Sequence, residues 1–162
     1  MRKLLVLVLV LCTACVSRPD PEPAVMRTSA PPWDAPRDAV SYIDAAGLEQ
    51  RPLGEDTDPW IVALTVEIEG ESVEIPAMIG IDRLRAKQAI VHTHERGGDV
   101  WLEGPDNGTA TLGQFFTLWG VQFDGACLAE WCNVEVLVDG KKIEDPASLR
   151  FRGHKAVEVR AS

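Results

Sequence analysis

Residues 109–120 read TATLGQFFTLWG, and this segment limits the fold more than any other stretch of the chain. Thr111 stands where a helix N-cap is wanted, and Gln114, three residues on, can reach back to it as a capping box. Leu112, Phe115, Phe116 and Trp119 recur at i, i+3, i+4 and i+7, which gathers them into a broad apolar stripe on one side of a helix. Gly120 then supplies a stop. So much aromatic surface needs cover, and burial habits make the stripe core rather than a ligand box.

The cover is a sheet. In WIVALTVEIEGESVEIP (60–76), Leu64, Val66 and Ile68 fall on one side and Thr65, Glu67 and Glu69 on the other, until EGES turns the chain into Val73 and Ile75. This is a hairpin with one buried face. AMIGIDRLRAKQ (77–88) follows as an irregular connection with one helical turn, and AIVHTHE and DVWLEG form two more strands around the glycine turn RGG. After the helix, alternation resumes in NVEVLVDGKKIED, with VDGKK as a turn, and the chain ends on SLRFRGHKAVEVRAS. Upstream, residues 37–46 suit a short helix stopped by Gly47, although they could also extend the segment before them. One helix across a mostly antiparallel sheet makes an α+β domain, and the element order predicts a β-grasp-like topology.

The N-terminus carries an address. MRKLLVLVLVLCTAC has Arg2 and Lys3 ahead of the apolar run Leu4–Leu11, which is too short to span a bilayer and suits the h-region of a signal peptide. Its ending, CTAC, resembles a bacterial lipobox, although Cys12 stands where leucine is usual. On that resemblance residues 1–14 are a lipoprotein signal peptide and Cys15 takes a diacylglycerol thioether and palmitate, which anchors the protein to a bacterial membrane on its extracytoplasmic side. The other reading is a secretory signal cleaved after Ala14. Residues 15–36 are rich in proline and small polar residues and predict an extended tether, leaving 37–162 as one domain.

Charge narrows the partners. Without Arg2 and Lys3 the chain has 14 basic and 25 acidic residues, a net charge of −11, which disfavours phosphate backbones and anionic headgroups. No nucleic acid is expected, and membrane contact comes from the lipid. The remaining partner is an envelope protein or a small ligand.

Two constellations could carry chemistry. His92 and His94, two apart on a predicted strand, leave the same face and can share a transition metal, copper or zinc being the ions that imidazole suits. They also fit a half-buried polar patch, and on that reading no cofactor is expected. Cys127 and Cys132 predict a small disulfide loop in an exported protein, with a Cys2His2 site alongside the histidines as the alternative. Glu95 could orient His94 only if the backbone turned. There is no GxSxG, P-loop or HExxH, so no catalytic residue is assigned and an enzyme is not expected. Asn107 heads a formal NGT sequon that fits a loop, and Arg150, Arg152 and His154 alternate on one strand face.

Residues 60–160 also resemble a family of uncharacterised exported bacterial and archaeal proteins. The likeness rests on HTHERGGDVWLEGPDNGTATLGQFFTLWGV, with VEIPAMIGID before it and VLVDGKKIEDPASLRF after it. The family pattern reads HTHDxxGxIHxE and TLGQFFxxWG, with a His-x-His hairpin upstream. Ile61, Ala63 and Trp101 stand here at family histidines and Glu95 at a family aspartate. The resemblance therefore implies a histidine site reduced to His92 and His94 and only weak metal binding. The expected function is an envelope binding or accessory module; a copper or zinc binding protein is the second reading and an envelope enzyme the third.

Overall fold

A computed structural model describes residues 18–54 and 58–162. The expected signal peptide (residues 1–14) and the expected lipidation site, Cys15, lie outside the described residues. The elements run α1 (Ala39–Ala45), β1 (Arg51–Pro52), β2 (Trp60–Ile68), β3 (Glu71–Ser72), β4 (Ile81–Asp82), β5 (Lys87–Gln88), β6 (Val91–His92), β7 (Asp99–Leu102), α2 (Leu112–Trp119), β8 (Val134–Val138), β9 (Lys141–Lys142) and β10 (Ala156–Ala161), with a 3-10 turn at Asn107–Thr109.

The main sheet has the order β6-β7-β2-β10-β8-β9, and β3 also pairs with β2. Its central pair is parallel, Ala156 lying opposite Ala63 and Ala161 opposite Ile68, while the other strand pairs described in this sheet are antiparallel. A parallel pair needs a crossover, and the chain between β2 and β10 supplies one through α2. With β7 beside the first long strand, the β8–β9 hairpin after the helix and the last strand in the middle, the order is β-grasp-like. A second, small sheet has the order β1-β5-β4.

The helix forms as its sequence predicts. Thr111 Oγ1 accepts from the Gln114 backbone N–H at 3.2 Å and Gln114 Oε1 accepts from the Thr111 N–H at 3.0 Å, while Gly120 closes the end at φ 71°. Leu112, Phe115, Phe116 and Trp119 are buried against Val62, Leu64 and Val66 of β2, Val100 of β7, and Val157 and Val159 of β10. This leaves Ile61, Ala63 and Thr65 on the outer, helix-free face.

Three expectations change. The described part of the expected 15–36 tether, residues 18–36, is not free: from Pro19 onward it docks on the domain. Arg85 Nη2 donates to the Pro19 carbonyl at 3.0 Å, the Val25 N–H to Tyr42 Oη at 3.3 Å, and the Arg27 N–H to the Gly120 carbonyl at 2.9 Å. Trp33 is 2 % exposed and meets Trp119 edge to face at 5.5 Å, with the Trp119 indole N–H donating to the Trp33 carbonyl at 2.9 Å. Composition averaged over the segment hides one aromatic that fills the end of the core. Residues 77–88 hold no helical turn but the β4–β5 hairpin, fastened by buried Asp82, which accepts from the Arg85 N–H at 2.9 Å and from the Arg85 guanidinium at 3.1 Å. The last strand starts only at Ala156, so Arg150, Arg152 and His154 share no strand face: Arg152 donates to Asn107 Oδ1 at 2.5 Å and His154 pairs with Asp139 at 3.3 Å.

The docking of Trp33 is measurable. Trp33→Ala should lower unfolding stability in urea by about 3–5 kcal/mol, the range for a buried aromatic, and a loss below about 0.5 kcal/mol would return the segment to a tether.

Candidate metal centre

The sequence between the two histidines fixes their direction. Thr93 points away from them, its hydroxyl donating to the Pro76 carbonyl at 2.8 Å and accepting from the Ile79 N–H at 3.1 Å. Alternation then turns His92 and His94 to the opposite side together. The return to β7 needs Gly98, at φ 95°, because a Cβ there would lie 2.1 Å from the Leu64 carbonyl oxygen. Residues 97 and 98 thus bring β7 back beside β6 with His92 facing Trp101 across the ladder.

The two imidazoles meet edge to face with centroids 4.7 Å apart and Nε2 atoms 3.2 Å apart. A third donor joins them. Glu103 Oε2 lies 3.5 Å from His92 Nε2, and Oε1 lies 3.6 Å from His94 Nε2. All three ligand atoms fall within 4.8 Å of one another. Metal–donor bonds of about 2.0–2.1 Å at tetrahedral angles hold adjacent donors roughly 3.3 Å apart, a spacing that the two Nε2 atoms already have, while each of them has a different Glu103 oxygen nearby.

Outer hydrogen bonds support the set. His92 Nδ1–H donates to the Ala89 carbonyl at 2.8 Å, which assigns the proton to Nδ1 and leaves the Nε2 lone pair facing His94 and Glu103. Gln88 Nε2 donates to Glu103 Oε2 at 3.1 Å. Without an ion, His94 Nε2–H can donate to His92 Nε2; with one, the His94 proton resides on Nδ1 and both lone pairs point inward. Burial is graded across the site, the side chains of His92, Glu103 and His94 being 0 %, 11 % and 39 % exposed.

The predicted pair is therefore brought together, but the cysteines are not part of it. Cys127 and Cys132 lie at disulfide distance from each other, 2.09 Å between Sγ atoms, so the Cys2His2 alternative is withdrawn. Glu95 is also displaced from the role considered for it, because the carboxylate at the site is Glu103. Local spacing misses Glu103, which follows β7 directly and reaches the histidines from across the β6–β7 ladder. The signal was its alternation with Trp101 and its match to the last position of HTHDxxGxIHxE. The positions of the resembled histidines, Ile61, Ala63 and Trp101, lie on the same outer face, Ile61 opposite Trp101 and Trp101 opposite His92.

Burial lowers the His92 pKa below the usual histidine range, opposed by its bond to the Ala89 carbonyl and by the Glu103 carboxylate. The unfolded chain then binds the proton more readily, so this residue's contribution to stability is full above about pH 6.5 and is lost as pH falls toward its folded-state pKa. In chelator-treated protein the urea midpoint should fall between about pH 7 and 5, with a shallower fall in His92→Gln. An equal pH slope in the two proteins would contradict the assignment.

Comparison with protein-family models, with curated proteins and with solved structures finds no match to this chain.

Proposed function

We propose that this protein is a lipid-anchored binding module of the cell envelope whose ligand is a transition-metal ion, zinc before copper, held by His92, His94 and Glu103. The observation that carries the reading is the convergence of two Nε2 atoms 3.2 Å apart on a carboxylate that a buried glutamine already orients. A neutral, Nδ1-protonated His92 is the form that ligates through Nε2. An Nε2–Nε2 spacing near the tetrahedral value and a carboxylate oxygen favour Zn2+, whereas Cu2+ prefers a flatter set and Cu+ softer donors.

Export and anchoring rest on the leader and on Cys15, and the Cys127–Cys132 pair is compatible with an oxidising compartment. The role is accessory binding rather than catalysis. Glu103, which the resembled pattern also carries, supplies a third donor beside His92 and His94, so binding is expected to be stoichiometric rather than vestigial.

Calorimetric titration of the chelator-treated chain with Zn2+ should give one site. His94→Ala should weaken it by more than about 100-fold and Gln88→Ala by roughly tenfold, the size expected for a ligand and for an outer hydrogen-bond partner. No stoichiometric uptake, or uptake indifferent to His94→Ala, would leave the cluster a hydrogen-bonded polar patch and sink the metal reading. Separately, Cys15→Ala should move the protein from the membrane to the soluble fraction of its host; retention on the membrane would remove the lipid from the proposal.

A further inference from the structure

We infer that the centre keeps a fourth coordination position that is filled from outside the chain by a neutral imidazole donor, with Trp101 and Ile61 as the wall against which that donor packs. This rests on the metal reading above. Among the described residues the cluster supplies three ligand atoms. The other described His and Cys side chains are committed elsewhere, His154 to Asp139 and Cys127 to Cys132. Structural zinc sites close their shell with four protein ligands, while three-ligand sites hold the fourth position for an exchangeable group.

The graded burial says where that position opens. His92 and Glu103 are covered, so the approach is on the flank of His94, whose side chain is 39 % exposed. That flank is apolar and aromatic. Trp101 meets the His94 ring edge to face at 4.9 Å, and Ile61, 43 % exposed, lies opposite Trp101 on β2. Asp99 stands two residues from Trp101 on the same face of β7 and is exposed, and the whole chain carries a net charge of −9. An anionic ligand approaching along this face meets like charge. A flat neutral nitrogen donor does not, and it gains ring contact with the indole. Imidazole is the donor of this kind that proteins carry, free in histidine or on a partner's side chain.

The step is ligand substitution: the imidazole nitrogen lone pair replaces a metal-bound water, and no electron or proton is transferred.

Cobalt(II) loaded into the mature chain reports the fourth ligand through its visible bands. Imidazole should shift these bands and saturate at about tenfold lower concentration than azide, and Trp101→Ala, compared at saturating cobalt, should narrow that gap to less than about threefold. An N-acetylated Gly-His-Gly amide and free histidine separate the two sources of the donor, and preference for the peptide assigns it to a partner's side chain. Unshifted bands, azide binding as tightly as imidazole, a gap unaltered in Trp101→Ala, or a metal-dependent dimer of the chain would each overturn the inference while the metal reading stands. Failure to take up cobalt at all would instead remove the metal reading on which it depends.

Discussion

The parallel pairing of β2 with β10 is the constraint around which the rest of the molecule is arranged. Two parallel neighbours cannot be joined by a tight turn, so the chain between Ile68 and Ala156 must cross over, here through α2, before it returns beside β2. That excursion carries α2 across one face and leaves the other without a helix. With β10 on one side of β2, β7 is confined to the opposite edge, and β6 lies outside it. The outward positions of that edge, His92, Trp101, Glu103 and Ile61, become one surface because the helix has claimed the other.

The candidate centre is consistent with this arrangement in energetic terms. An imidazole buried as fully as His92 costs free energy unless its nitrogens are satisfied. Here Nδ1 has the Ala89 carbonyl, Nε2 faces His94, and Glu103 accepts from Gln88. The set is therefore tolerable with or without an ion, and little must move for one to enter. Gln88 belongs to β5 of the small sheet, so that sheet serves as the lid that keeps Glu103 oriented.

Local signals were the legible part of the sequence. The capping box of Thr111 and Gln114, the stripe of α2, the alternation of β2 and the close Cys127–Cys132 pair all depend on residues near one another in the chain, where spacing translates directly into geometry. Glu103 was not legible in that way, since its partners lie nine and eleven residues away and meet it only after the Gly97–Gly98 turn sets the register. The proline-rich segment failed for a different reason. Its composition describes an average, and the fate of the segment is decided by Trp33 and by backbone groups at Pro19, Val25 and Arg27 that find partners on the domain.

That docking bears on the proposed lipid anchor. A tether running to residue 36 would let the domain roam far from the bilayer. With Pro19 already fastened to Arg85, only three residues lie between the docked chain and Cys15, a reach of about 14 Å over four fully extended steps. A lipid on Cys15 would thus act as a short hinge pin: it limits the height of the domain above the headgroups and restricts which of its surfaces can turn outward.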